Sequence, residues 1–260
     1  MGMHFGVIGA KSTWPSLLGR LSQAFGTFED RGPVTDLNRL PFGKTDDGIV
    51  AGEHGDSCFV FDRSMVLSAS NYSRLLDISQ QLDSLVVACV GETVSGTFGL
   101  FVADRGQLVR LYWNCEMDLS QPLQMGTPLA SESVSPLEDI DGRGLFDAMR
   151  CLGLDFEAWF QQGPKQAFVW ELSASNVGVL QDDGPIGKAQ AEHHEKFGIP
   201  KDRQPKPTVV SRRMPDGSTG YDIVSRAVTT SSSAAAPPAS AKSLLAKLRS
   251  LLKSGNAKGR

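Results

Sequence analysis

The 260 residues include 26 Lys and Arg and 29 Asp and Glu, giving a net charge of −3, and 40% of the residues are hydrophobic. This is the composition of a globular protein with a sizeable core, and it gives no reason to expect nucleic acid as a partner. No apolar run approaches the roughly 20 residues that cross a bilayer, so we expect no transmembrane segment. The stretch Met1–Phe5 lacks the features of a secretory signal, and we expect a cytoplasmic location.

The charge is unevenly distributed along the chain. From Thr229 to Arg260 there are six Lys or Arg residues and no acid, a charge of +6. The first 228 residues therefore carry −3 minus 6, or −9. The sequence predicts an acidic body followed by a basic tail.

The four cysteines, Cys58, Cys89, Cys115 and Cys151, are irregularly spaced. None of the spacings matches a zinc site or a redox motif, so we expect four free thiols and no metal or cofactor. Cys58, Cys89 and Cys151 lie among apolar residues, where a free cysteine behaves as a small hydrophobe.

The first third of the chain alternates candidate strands and helices. Met3–Gly9 is a predicted strand, and a helix follows from Ser12 to Gly26, with proline in its first turn. The polar, glycine-rich stretch Thr27–Gly55 is typical of an irregular surface segment. Ser57–Asp62 is a predicted strand with Met65–Ser68 as its hairpin partner, and the next predicted helix covers Asn71–Asp83.

The middle of the chain predicts an antiparallel meander over residues 85–114. Its three apolar runs are Leu85–Gly91, Thr97–Ala103 and Gln107–Trp113, separated by short turns. In the third run, strict alternation puts Leu108 on the same face as Arg110. Both faces of the sheet are largely apolar, so we expect helices to cover both. The sequence thus predicts an α+β fold with a central, mainly antiparallel sheet flanked by helices.

The rest of the body is predicted to follow the same plan. A helix is expected over Gly144–Phe160, with Gly153 able to break it in two. Ala167–Leu172 is a predicted strand, and Ile186–Phe197 a mostly polar helix. Thr208–Met214 and Ser218–Ser225 flank a strong turn signal and predict a terminal hairpin, which completes a globular domain of residues 1–228.

The tail is predicted to have three parts. Residues 229–241 contain no charge and no large side chain, as in a flexible linker. Residues 242–254 have leucines at helical spacing with cations between them, which predicts a basic amphipathic helix. Residues 255–260 form a disordered end. The predicted partner-binding residues of the helix are Leu244, Leu245, Lys247, Leu248, Arg249, Leu251, Leu252 and Lys253.

Motifs that would indicate catalysis or metal binding are incomplete. Gly6–Ser12 lies between a strand and a helix but lacks both glycines that a phosphate loop requires. Glu192–Glu195 contains two adjacent histidines, which point about 100° apart on a helix, so a solvated polar helix is favoured over a metal site. The carboxylates are scattered along the sequence, and we assign no catalytic residue.

Arg110 interrupts an apolar face of the meander. Because an unpaired buried charge is costly, we expect a carboxylate partner, with Glu92, Glu116 and Glu132 as candidates. We favour a structural ion pair. The alternative is a ligand pocket formed by Arg110, Glu132 and His54, the last of these lying in a polar loop of the kind that can carry catalytic groups.

Two segments together resemble a known pattern: Gly96–Arg110, and Gly126-Thr-Pro-Leu-Ala-Ser-Glu132. A strand, a glycine turn, a strand ending in arginine and then Gly-x-Pro-Leu-x-x-Glu is similar to small uncharacterised bacterial α+β proteins, over residues 84–160. The resemblance implies no activity. Some proteins of this size and composition serve as cytoplasmic immunity or accessory partners of bacterial toxins. The resemblance is compatible with such a role.

These observations leave three hypotheses for function. The leading one is a non-enzymatic bacterial protein that binds another macromolecule, as an immunity or adaptor factor, with a protein as the expected partner. The second is an enzyme of unrecognised type with the pocket at Arg110, Glu132 and His54. The third is a peripheral membrane protein that its basic helix anchors to an anionic surface.

Overall fold

The computed structural model describes residues 4–34, 48–62, 64–93, 95–138, 142–162, 164–170, 181–200, 208–213 and 219–224. Nine of its strands form one sheet: β1 (His4–Ala10), β2 (Phe28–Pro33), β3 (Gly48–His54), β4 (Ser57–Asp62), β5 (Leu85–Glu92), β6 (Thr97–Asp104), β7 (Gln107–Cys115), β8 (Leu123–Gly126) and β9 (Gln166–Trp170). The helices are α1 (Trp14–Phe25), α2 (Val66–Ala69), α3 (Tyr72–Gln81), α4 (Arg143–Cys151), α5 (Phe156–Gln162) and α6 (Pro185–Phe197), with a 3₁₀ turn at Ala130–Ser133.

The strand order is β2-β9-β3-β4-β1-β5-β6-β7-β8, and all neighbours pair antiparallel. The predicted meander forms the β5-β6-β7 part of this sheet. The α+β prediction is confirmed, as is the mainly antiparallel pairing. None of the helices in the described part of the chain combines the length and hydropathy that crossing a bilayer demands.

Each face of the sheet carries its own hydrophobic core. Side chains alternate along a strand, so Ile8 of β1 packs in one core and Val7 in the other. The first core is covered by α1 and α3 and receives Ile186 of α6. The second is covered by α4 and α5, through residues such as Met149 and Trp159. This confirms that helices flank the sheet on both faces.

The stretch Thr27–Gly55 was expected to be irregular, and this prediction is wrong for both of its ends. β2 lies at the edge of the sheet, and β3 lies well inside it, paired with β4 and β9. Only Ile49–Ala51 gives β3 an apolar run, too short to stand out from its polar and glycine neighbours in the sequence. All three of those residues are buried.

Met65–Ser68 was expected to be a strand that pairs with β4, but the chain forms the short helix α2 instead. The Asp62 carboxylate at the end of β4 accepts hydrogen bonds from the backbone N–H groups of Ser64 (3.1 Å) and Ser68 (2.9 Å). Holding both N–H groups at one side chain turns the chain into a helix, in the manner of an N-terminal cap.

Later segments follow the predictions closely. The expected helix at Gly144–Phe160 is split on either side of Gly153 into α4 and α5, and α6 matches the predicted Ile186–Phe197 helix. The predicted hairpin is present as β10 (Thr208–Arg213) and β11 (Thr219–Val224), which pair antiparallel in a separate two-stranded sheet. The predicted linker at 229–241, the helix at 242–254 and the end at 255–260 lie outside the described residues.

A β-bulge in β7 changes which side chains share a face. Val102 of β6 pairs with Arg110, but the next residue, Ala103, pairs with Leu108, leaving Val109 without a partner. The extra residue reverses the alternation. Leu108 therefore packs against the first core, whereas Arg110 lies on the opposite face with Val102. The expectation that Leu108 and Arg110 share a face is wrong for this reason.

Candidate functional site

Arg110 is almost completely buried, with 1% of its surface exposed, and it forms a two-pronged ion pair with Glu132. Its Nε donates to Glu132 Oε1 at 2.9 Å and its Nη2 to Oε2 at 2.7 Å. Parallel bonds of this kind are the strongest geometry for an arginine and a carboxylate. The expected carboxylate partner is therefore confirmed, and of the three candidates it is Glu132.

The remaining N–H groups of Arg110 are also occupied. Nη2 donates to Gln124 Oε1 at 3.0 Å, and Nη1 lies 3.4 Å from the carbonyl oxygens of Leu111 and Met125. A guanidinium has five N–H donors, and all five face an acceptor within the protein. The geometry is that of a brace across β7 and β8, with no donor left over for a ligand.

The sequence Gly126-Thr-Pro-Leu-Ala-Ser-Glu132 builds the carboxylate side of this pair. Gly126 pairs with Arg110 at a backbone φ of +76°, where a Cβ atom would lie 2.1 Å from the Val109 carbonyl oxygen, so only glycine fits. The chain then enters the 3₁₀ turn, whose start is held by the Leu129 N–H donating to Glu132 Oε1 at 2.8 Å. The turn aims the Glu132 carboxylate back at β7.

His54 does not join Arg110 and Glu132. It is exposed at the end of β3, and β3 is separated from β7 by four intervening strands. Five spacings of about 4.8 Å put the two strands roughly 24 Å apart. The structure thus brings together two of the three residues of the alternative pocket and leaves the third elsewhere.

A second buried charge, Asp62, lies at the end of β4 with none of its surface exposed. Besides the two backbone N–H groups, the hydroxyls of Ser64 (2.8 Å) and Ser68 (3.1 Å) donate to its carboxylate. Burial raises the pKa of Asp62, and these hydrogen bonds oppose the rise. Four donors on two oxygens make Asp62 the anchor of α2.

A cavity of about 430 Å³ lies between helix α6 and one end of the β6-β7 pair, where β6 begins and β7 ends. No feature of the sequence marks this cavity, because its two sides are far apart in the chain and neither carries a motif. The helix contributes His193 and His194, which the sequence presented only as part of a solvated polar face. The cavity is lined by Thr97, Trp113, Cys115, Asp118, Leu119, Leu123, Gln190, Ala191, His193 and His194.

Backbone contacts fix α6 beside this cavity. The Phe197 carbonyl at the end of α6 accepts from the Ser120 N–H at 2.9 Å, and the Ile199 N–H donates to the Asp118 carbonyl at 2.7 Å. The His193 Nε2 lies 2.9 Å from the Gln121 carbonyl oxygen. These bonds fix the His193 ring and the end of α6 against the turn that follows β7.

Cys115 lies at the cavity wall between two polar groups. Its thiol donates to Asp118 Oδ2 at 3.5 Å and accepts from the Thr97 hydroxyl at 3.3 Å. Burial raises the pKa of this thiol, which keeps it protonated and disfavours a nucleophilic role. Within the described part of the chain, no three His, Cys, Asp or Glu side chains converge as metal ligands.

All four cysteines are free, as predicted. Burial raises the pKa of Cys58 to about 12, and the pKa of Cys89 is raised for the same reason. The expectation that Cys151 lies in apolar surroundings is wrong, because Cys151 ends α4 on the solvent side and is exposed.

Comparison with known proteins gives no relative to set beside these sites. No family model matches the chain, and neither a curated protein nor a solved structure matches it. The predicted partner-binding residues from Leu244 to Lys253 lie outside the described residues.

Proposed function

We propose that this chain is a non-enzymatic bacterial protein that acts in the cytoplasm by binding another protein, as an immunity or adaptor factor. The observation that carries the proposal is the pattern of the tail, where five leucines at helical spacing alternate with Lys and Arg after an uncharged segment. The resemblance of residues 84–160 to small bacterial α+β proteins supports the bacterial immunity or adaptor role.

A helix of this length needs a surface to bind. Isolated helices shorter than about 12–15 residues are marginal in water, so the segment 242–254 depends on packing its leucine face. An amphipathic helix of this kind suits a hydrophobic groove on a partner protein.

The body offers little apolar surface for the tail in the region that the structure describes. Both faces of its sheet are already covered, and Val134 is the one large hydrophobic residue exposed among the described residues from 4 to 200. One side chain cannot accommodate five leucines. This supports a partner outside the chain over docking of the tail on its own body.

A protein groove is favoured over a membrane because the predicted helix has leucines but no Trp or Phe on its apolar face, which is a weaker membrane-interface pattern. Its cations would still be attracted to anionic lipid by about 1 kcal/mol each near the surface. Anionic vesicles are therefore the necessary comparison in any test.

The test compares the full-length protein with Leu248→Asp in two assays, capture of proteins from the native host and co-sedimentation with anionic vesicles. Leu248 lies in the middle of the predicted apolar face, so a carboxylate there should abolish packing. We expect Leu248→Asp to lose a protein that the natural chain captures, and neither form to sediment with vesicles.

Ser250→Asp is the matched control, because it adds the same charge on the opposite side of the predicted helix and should retain capture. Vesicle binding that Leu248→Asp removes, without protein capture, would establish the membrane hypothesis instead. Equal capture by all three forms would show that the tail is not the binding element.

A further inference from the structure

We propose that the cavity beside α6 binds a small organic cation with an apolar body. This site lies in the body of the protein and goes beyond the binding role proposed for the tail, so each can fail without the other.

The cavity has the size and the wall of a ligand site. Its volume of about 430 Å³ falls within the roughly 300–1,000 Å³ typical of small-molecule sites. Leu119 and Leu123 are buried residues at its wall, and Trp113 is only partly buried there. An apolar group in the cavity would cover part of the Trp113 ring and lose its own contact with water.

The charge around the cavity selects a cation. With histidine neutral, Asp118 is the one side chain with a formal charge among the described residues that line the cavity. The described residues up to 200 contain 11 Lys and Arg and 20 Asp and Glu, a charge of −9, so the surrounding field has the same sign. A cation gains from both and has the Trp113 ring within the same cavity as an aromatic neighbour, whereas an anion would be repelled.

Further polar groups could orient such a ligand. The side chains of Gln190 and His194 line the cavity and make no hydrogen bond to another described residue. An ammonium group donates hydrogen bonds, and an amide oxygen or a neutral imidazole nitrogen accepts them. An organic cation needs only such scattered acceptors, unlike a metal ion, which needs three or more converging ligands.

The experiment titrates the full-length protein with 2-phenylethylammonium chloride and follows tryptophan fluorescence and the melting temperature. The neutral analogue 2-phenylethanol and the anion phenylacetate serve as ligand controls. We expect saturable binding of the cation, weaker binding of the alcohol and none of the anion. No saturable binding of the cation up to about 10 mM, or equal binding of phenylacetate, would overturn the proposal.

Two variants locate the site. Ala191→Phe should abolish binding, because Ala191 is an exposed cavity residue of α6 and a larger ring there fills the space without entering the core. Asp118→Asn should weaken binding of the cation by about tenfold or more through loss of the charge. Glu192→Gln makes the same charge change on α6 outside the cavity lining and should bind normally. Undiminished binding by both Ala191→Phe and Asp118→Asn would place the cation elsewhere and refute the assignment.

Discussion

Two buried charges on distant strands of the same sheet are stabilised in different ways. Arg110 in β7 and Asp62 in β4 are 1% and 0% exposed, so both have lost nearly all their hydration. Arg110 faces an opposite charge, Glu132, whereas the side-chain donors to Asp62 among the described residues are the neutral hydroxyls of Ser64 and Ser68. Equal burial therefore does not imply equal electrostatics.

The two sites should therefore respond differently to mutation and to pH. The Arg110 site depends on a matched charge, so removing one member leaves the other buried and unpaired. The Asp62 site depends on hydrogen bonds to neutral groups, which do not cancel its charge, and its pKa is raised by burial. The first site should be sensitive to mutation, and the second also to pH.

Arg110→Ala should have the largest effect on stability. It leaves Glu132 without its counter-charge and removes the brace across β7 and β8, at a cost of about 3–5 kcal/mol in the free energy of unfolding. Urea denaturation measures this directly. Arg105→Ala, which removes an exposed arginine from the turn before β7, should change stability by less than about 0.5 kcal/mol. Equal stability of Arg110→Ala and the natural chain would contradict the structural role.

Gly126→Ala should have the next largest effect. A left-handed backbone costs a non-glycine residue about 1–3 kcal/mol, and here the new methyl group would also meet the Val109 carbonyl. Because Gly126 pairs with Arg110, the substitution tests whether the close approach of β8 is needed for the ion pair. A Gly19→Ala variant, with open space around its Cβ position in α1, is the control and should not destabilise. A Gly126→Ala protein as stable as the control would show that β8 can shift freely.

Asp62→Asn should cost about 1–2 kcal/mol near neutral pH. The amide keeps the size of the carboxylate, but its nitrogen would oppose one of the N–H donors from Ser64 or Ser68 and leave it unsatisfied. Denaturation of both proteins over a range of pH gives the difference in their free energies of unfolding.

The pH dependence of that difference has a definite sign. The ordinary Asp pKa is 3.8, and the folded-state pKa of Asp62 is higher, so between these two values the folded state binds more protons than the unfolded state. Natural protein should thus gain stability over Asp62→Asn as the pH falls from 7 toward 4, and the gain should level off below 3.8. A difference that shrinks as the pH falls would show that the pKa is lowered and that the hydrogen bonds outweigh burial.

The smallest effect is expected from the region that contributes to neither charged site. A chain ending at Ala227 lacks the uncharged segment and the predicted helix, and its melting temperature should fall by less than about 5 °C. Differential scanning calorimetry of the two chains measures the shift. A larger fall would mean that the tail packs on the body and that its leucines are already in use.

Elements with a long hydrophobic pattern were predicted well from the sequence. Elements whose structure depends on contacts with distant residues were predicted poorly. The β5-β6-β7 meander has long β-branched and aromatic runs, and the helix at 186–197 has clear ends, so local preference and final structure agree. The strand β3 has only Ile49–Ala51 as an apolar run, and its place inside the sheet depends on pairing with β9, which no local pattern shows. The α2 helix depends on the side chain of Asp62, an interaction that overrides the strand preference of the flanking residues.

The sites show the same contrast between local sequence patterns and long-range contacts. Arg110 stood out because a charge in an apolar strand demands a partner, and Glu132 was among three acids within reach along the chain. The cavity could not be predicted, since Asp118 and His193 are 75 positions apart and meet only because a turn docks on the end of a helix. His54 illustrates the reverse error, because its polar loop suggested a role in a pocket whose other two residues lie at β7 and β8, with four strands between β3 and β7.

The position of β9 has a consequence for biosynthesis. β9 lies between β2 and β3 and bonds to both, yet Gln166 follows His54 by 112 residues in the chain. While the chain is being made, β3 has β4 as a neighbour but an open outer edge, and β2 still lacks β9, its pairing partner among the described strands. The nascent protein must keep these edges from pairing with other chains until β9 leaves the ribosome, so this half of the sheet is the part most exposed to misassembly.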